Sequence, residues 1–219
     1  MSAFNDIEKY RIHSAEPTAY YMPEFITCDE EKSIMTNIYS APKPKWTQLF
    51  NRRLQNWGGI PHSKGMIAET IPAWLNYYLE RIHQIGVMGG NKPNHVLVNE
   101  YLAGQGIMPH LDGSLFYPTI TTISVGSHTL LKFLEPNADE SSMEMRHSFS
   151  FLLEPRSLLI LQDKLFSYYL HCIEEVKEDL LDDSVANLHM CSSKFQKGIT
   201  VSRDTRLSLT IRHVPKTTA

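Results

Sequence analysis

Cysteine is nearly absent from this 219-residue chain: Cys28, Cys172 and Cys191 are the only three, far apart and without a CxxC pair. An odd, scattered set of thiols argues against a disulfide framework and suits a reducing compartment. No apolar run approaches the roughly 20 residues that cross a bilayer, so no membrane association is expected. The opening MSAFNDIEKYRIH lacks a cationic stretch followed by an apolar one, so it shows no secretory signal. These absences together predict a protein of the cytoplasm or nucleus. Repeats, low-complexity tracts and linkers are missing too, which predicts one domain over residues 1–219.

What is present is an ordinary globular composition, 42% hydrophobic and 21% charged. The formal charge of -3 gives no overall attraction for a polyanion, but the charge is unevenly spread. Residues 32–68 carry Lys32, Lys43, Lys45, Arg52, Arg53 and Lys64 and no acid, whereas residues 135–183 carry twelve acids against four Lys or Arg. The first stretch can attract a polyanion; the second would repel one.

The first 90 residues or so read as a helical preface. Thr27 and Glu30 have capping-box spacing, and Ile34, Met35 and Ile38 follow at helical intervals. A second helix is predicted from Pro72 to Ile85, with Trp74, Leu75, Tyr78, Leu79 and Ile82 on one stripe and a glycine-bearing stop at 86–90. Beyond that the period changes to two. Strands are predicted at 95–101, 119–126, 128–135, 148–154, 157–162, 166–171 and 206–214, rich in β-branched and aromatic residues. Many short strands after a helical preface predict a mainly β jelly roll over about 91–215, with the N-terminal helices packed on one sheet.

His110-Leu111-Asp112 places two metal-competent side chains at i and i+2, on one face of an extended segment. A third donor is expected from His171, at the end of the predicted strand FSYYLH. Two imidazoles and one carboxylate on one face leave further coordination positions open, as in non-haem iron(II) oxygenases. Zinc would accept the same donors. In RLSLTIR, Arg206, Ser208, Thr210 and Arg212 share one face and Leu207, Leu209 and Ile211 the other. Two arginines on one face of a strand point to anionic groups, since a planar guanidinium grips a carboxylate with two parallel hydrogen bonds. Asn99 and Tyr101 alternate the same way just before the HxD pair and can add hydrogen bonds.

NxYxxGxxxxPHxD (Asn99 to Asp112), the distal His171 and RxxxxxR (Arg206 to Arg212) together resemble the AlkB-type 2-oxoglutarate dioxygenases. The stretches APKPKWTQL, LQNWGGIPH, NHVLVNEYLAGQGIMPH, TISVGSHT and FLLEPRSLLIL are similar to the sixth homologue group of eukaryotes within that family. The resemblance implies a double-stranded β-helix, iron(II) on His110, Asp112 and His171, and 2-oxoglutarate and molecular oxygen as cosubstrates. It implies that Arg206, helped by Tyr101, pairs with the distal carboxylate of 2-oxoglutarate, and that Asn99, Ser208 and Arg212 line the same site. The family often has Asn where this chain has Ser208. The implied chemistry is oxidative decarboxylation to succinate coupled to hydroxylation of a C–H bond, often on an N-methyl group that leaves as formaldehyde.

Residues 42–62 occupy the region of the family's nucleotide lid. There Trp46 or Trp57 could stack on a base of single-stranded or alkylated DNA or RNA, with Arg52, Arg53, Lys43 and Lys45 on phosphates. Bacterial demethylases of cationic bases carry an acid two positions beyond the HxD aspartate; here that position is Ser114. With the six acids of 174–202, this motivates a second expectation, the same oxygenase chemistry on a protein substrate. A third is a nucleic-acid-binding module with little activity.

Overall fold

The computed structural model describes residues 7–13, 18–136 and 146–218. Part of the acid-rich stretch, Asp139, Glu140 and Glu144, lies outside the described residues. The strands, in chain order, begin with β1 (Ala19–Met22), β2 (Thr47–Gln48), β3 (Arg53–Trp57), β4 (Met66–Ile67), β5 (His95–Tyr101), β6 (Ile107–His110) and β7 (Thr119–Gly126). They continue with β8 (Thr129–Glu135), β9 (Arg146–Leu153), β10 (Leu158–Gln162), β11 (Leu170–Ile173), β12 (Glu178–Leu180), β13 (Thr200–Ser202), β14 (Arg206–Arg212) and β15 (Thr217–Thr218). Three α-helices, α1 (Cys28–Tyr39), α2 (Ala73–Ile85) and the single turn α3 (Lys164–Ser167), complete the frame.

Seven strands form one antiparallel sheet in the order β1-β10-β7-β14-β5-β3-β2, and four form a second, β6-β11-β8-β9. Period-two alternation fixes what each face meets. On β14, Leu207, Leu209 and Ile211 are fully buried against a core that also holds Val96, Val98, Ile123 and Val125. Ile34 and Ile38 of α1 and Leu75, Leu79 and Ile82 of α2 fill the other half of that core. Each such side chain contributes about 1.5–3 kcal/mol by leaving water. The opposite face of the large sheet looks at the small sheet, where Tyr21, Leu159 and Leu161 meet Phe133, Phe151 and Leu153. The result is a double-stranded β-helix with helices on one sheet.

Local signals set the element ends. Thr27 caps α1 in a full capping box, with Glu30 N–H on Thr27 Oγ1 at 3.1 Å and Thr27 N–H on Glu30 Oε2 at 2.7 Å. Pro72 caps α2, and Gly86 ends it in the left-handed region at φ 84°. Two expectations need correction. The N-terminal third is not merely a helical preface: β1 forms one edge of the large sheet and the β2–β3 hairpin the other. The segment 166–171 is not one strand either. The amides of Tyr168 and Tyr169 both return to Lys164 O at 2.9 Å, closing a helical turn, and the strand begins only at Leu170. His171 therefore lies inside β11, not at its end.

The acidic segment after β11 folds onto the outer face of the small sheet, with Leu181, Val185 and Phe195 against Leu130 and Leu152. Its anchor is a buried network: Arg203 donates from Nε and Nη2 to Asp179 at 2.7 Å each, and His128 Nε2 stands 3.3 Å from the same carboxylate. Burial alone would raise Asp179, but the Arg203 hydrogen bonds and His128 outweigh it and hold the carboxyl below its ordinary value. A carboxylate depressed by folding stabilises the native state above the unfolded value, and that gain is lost as pH falls through the native one. Asp179→Asn is therefore expected to be less stable at neutral pH and to show a shallower loss of stability on acidification. Urea midpoints measured from pH 7 down to pH 3 check this.

Candidate active site

β6 and β11 are antiparallel neighbours, and their register sets His110 directly opposite His171. The two rings lie 4.4 Å apart between centroids. His110 Nδ1 is 2.8 Å from Met108 O; with the proton on that nitrogen, Nε2 keeps its lone pair. His171 is pushed down to about 4, chiefly by burial with His110 and Arg212 adding to it against the pull of Asp112. It is thus a neutral donor at physiological pH. Asp112 follows β6, and its Oδ2 stands 3.6 Å from His171 Nε2. Its Oδ1 accepts a short hydrogen bond from Arg212 Nη2. Burial would raise the Asp112 carboxyl, but Arg212 and the two histidines hold it below the ordinary range, so it is ionised. Among the described residues no three His, Cys, Asp or Glu side chains are drawn in tightly enough to mark a closed metal cluster. His110 and His171 face each other across the strand pair, and Asp112 stands beside His171. Their chemistry fits a dication with open positions.

The approach of the two histidine strands depends on one glycine. A Cβ on Gly106 would lie 2.1 Å from Ile173 O, so any side chain there wedges β6 away from β11. Gly106→Ala is expected to lower metal affinity roughly 10- to 100-fold, as displacement of supporting groups does at metal sites. Anaerobic equilibrium dialysis with iron(II) reads the change, and circular dichroism confirms the fold.

Arg206 sits on the same wall, in register with Tyr101 of β5 on one side and Gly126 of β7 on the other. It is 3% exposed and donates from Nη2 to Ser124 Oγ at 2.9 Å, while the Tyr101 ring lies 5.9 Å from the guanidinium. Its Nε has no partner. Burial pulls the guanidinium down to about 10, and no carboxylate among the described residues stands against it. A buried cation without a counter-charge is costly, several kcal/mol for the isolated ion, and a wall built around one calls for an anion from outside. Arg212, six positions on, is compensated by Asp112 and lies 4.5 Å over the Phe116 ring.

A cavity of about 300 Å³ joins these groups. His110, Asp112, His171, Asn99, Tyr101, Arg206, Ser208 and Arg212 all line it, so every residue expected at the metal and cosubstrate reaches one chamber. Leu131, Leu153, Leu161 and Ile173 give it an apolar floor. Of the six residues expected to touch substrate, Lys43 and Lys45 included, only Arg52 lines it, with Nε 3.1 Å from Asn99 Oδ1. Arg53 instead makes a two-point bridge to Glu100, at 2.7 and 2.9 Å, and lies 4.1 Å over Trp46. Trp46 stacks beside Tyr39, and Trp57 packs edge-on against Trp74 with its Nε1 on Gln55. Both indoles pack against the helix-side core, and for Trp57 the cause is alternation along β3, which turns Arg53, Gln55 and Trp57 away from the chamber. Ser124 escaped the sequence reading, though the same alternation on TITTISVG puts it on the face of Ile120 and Thr122. Phe116 lies in a loop with no periodic signal.

A model of the 2OG-Fe(II) oxygenase superfamily matches residues 15–212. The chain is 54% identical, over 96% of its own length and 92% of the relative's, to the "Probable RNA/DNA demethylase ALKBH6" of Danio rerio. It is 24% identical to the "Alkylated DNA repair protein ALKBH8 homolog" of Arabidopsis thaliana, over 82% of this chain and 61% of that one. Among solved structures, OsALKBH1 superposes with a TM-score of 0.56 at 15% identity, over 91% of this chain and 99% of that one. A Pseudomonas putida prolyl-4-hydroxylase superposes at 0.55 and 10% identity, over 99% of this chain and all of the other, which speaks for the fold alone. The chain belongs to the 2OG-Fe(II) oxygenase superfamily, among its AlkB homologues, and is a dioxygenase that uses iron(II), 2-oxoglutarate and molecular oxygen.

Proposed function

We propose that this enzyme oxidatively dealkylates nucleic acid, with His110, Asp112 and His171 holding the iron and Arg206 gripping the distal carboxylate of 2-oxoglutarate. The observation that carries the assignment is the pairing of two complementary deficits on one chamber wall. An ionised carboxylate and the neutral His171, with His110 directly opposite it, lack a cation, and a buried guanidinium lacks an anion. Iron with 2-oxoglutarate supplies oxidation of a C–H bond by oxygen, with succinate and carbon dioxide as coproducts. The chain's own part is positioning. Arg212 orients the Asp112 carboxylate, Ser124 and Tyr101 steady Arg206, and the leucine floor keeps bulk water from the reacting groups. Nucleic acid as substrate is supported by the naming of the Danio rerio relative and by the acid-free stretch 32–68, which places Arg52 at the chamber.

The test is anaerobic loading with iron(II) and 2-oxoglutarate, then admission of oxygen with single-stranded methylated DNA and RNA. Succinate stoichiometric with formaldehyde is the expected result. Decarboxylation that proceeds without turnover of any oligonucleotide would falsify the substrate class and leave the oxygenase intact.

A further inference from the structure

We infer that Arg52 makes this chamber select alkylated bases that are uncharged or anionic and reject cationic ones. The inference rests on the nucleic-acid reading and names the substrate class within it.

The charged groups on the chamber wall, histidines aside, are Arg52, Arg206, Arg212 and Asp112. Three guanidinium groups thus face one carboxylate. The metal dication and the cosubstrate dianion cancel each other when both bind, so the filled chamber keeps the protein's surplus of two positive charges. Arg212 is paired with Asp112 and Arg206 is held deep in the wall by Ser124, so of the two surplus guanidinium groups Arg52 is the one that faces whatever enters. It cannot swing away freely. Its Nε is tied to Asn99, and its own backbone closes the hairpin tip: Leu49 N–H donates to Arg52 O at 2.9 Å, and Gln48 Nε2 caps Leu49 O at 2.7 Å. The neighbouring Asn51 is fastened to Glu175 across the gap.

Among the described residues that line the chamber no acid besides Asp112 faces this charge. Glu100 alternates to the far side of β5 and is already bridged to Arg53. Glu175 meets Asn51 outside the chamber and is not among its lining residues, and Ser114 is exposed and uncharged. Phe50, 95% exposed on the hairpin tip, and Leu111 and Leu115 after β6 add apolar surface there. Such surface suits the flat face of a base and brings no negative charge to set against Arg52. Like charges several ångströms apart, near a protein surface, differ from a neutral pair by enough to change affinity roughly tenfold or more.

The test uses protein loaded with manganese(II) and the unreactive analogue N-oxalylglycine. Fluorescence anisotropy then compares short single strands carrying one N6-methyladenine, which is neutral, or one 1-methyladenine, which is cationic. Wild type is expected to hold the neutral strand about tenfold more tightly. Arg52→Gln should bring the ratio near one, and Arg52→Glu should invert it, while calorimetry finds affinity for 2-oxoglutarate kept. A wild-type preference for the cationic strand, or a ratio that Arg52→Gln leaves alone, overturns the inference and spares the nucleic-acid reading. So does a large loss of 2-oxoglutarate affinity in that variant, which would assign Arg52 to the cosubstrate. Failure of both strands to bind wild type defeats the reading and the inference together.

Discussion

Asp112→Asn is expected to lower coupled turnover at least 100-fold and iron(II) affinity about 10- to 100-fold, with little change in the fold. The asparagine keeps the volume and an oxygen that can accept from Arg212 Nη2, so the Asp112–Arg212 contact persists in shape. What disappears is the only negative charge on a wall that carries three guanidinium groups. Neither of the other two donors can bring a negative charge: His171 is held neutral by burial, and His110 with Nδ1 directed at Met108 O offers at most the lone pair of Nε2. A dication would then meet two imidazoles and an amide amid uncompensated arginines. Asp112→Ala is the harsher change, since it also strands Arg212, which is 8% exposed. Anaerobic iron titration followed by succinate release checks both variants. Normal iron affinity in Asp112→Asn would remove the carboxylate from the ligand set.

The chamber was legible in the sequence wherever a side chain's direction follows from period two. RLSLTIR declares by alternation alone that its arginines share a face, and the register with β5 and β7 confirms which face. The same rule could have excluded Arg53 and Trp57 from the substrate list, had residues 53–57 been recognised as a strand. They were not recognisable because β2 is two residues long and the segment QLFNRRLQN is polar, with no apolar alternation to mark it. Only pairing with β5 makes it a strand, and that is a tertiary fact. The misreading of 166–171 has a similar cause. Phe166, Tyr168 and Tyr169 have high strand propensity, but Asp163 at φ 52° and the returning bonds to Lys164 impose a helical turn. The union of HxD with a histidine some 60 residues later depended on motif order, since spacing alone cannot bring β6 beside β11.

Arg206→Met is expected to do two opposite things, and both follow from one buried charge. Without ligands the variant should be more stable than wild type, because an apolar thioether takes the place of a guanidinium whose Nε has no partner and which faces no carboxylate among the described residues. Replacing buried charge by apolar volume yields about 1–4 kcal/mol in comparable cases, and for a chain of this size each kcal/mol moves the melting point by roughly 2–4 °C. With manganese(II) and saturating 2-oxoglutarate the order should reverse. Wild type gains about 4.1 kcal/mol at a ligand concentration 1,000 times the Kd, enough to cover that range, whereas the variant has lost the group that meets the distal carboxylate and gains little. The KM for 2-oxoglutarate should accordingly rise at least 100-fold, since a hydrogen-bonded charge pair in a dry site is lost. Thermal melts of both proteins, with and without cosubstrate, separate the causes: a variant destabilised in the absence of ligand would mean that Ser124 and Tyr101 already satisfy the guanidinium. In that case the anion is not what the site was built to receive, and the cosubstrate must be held elsewhere on the wall.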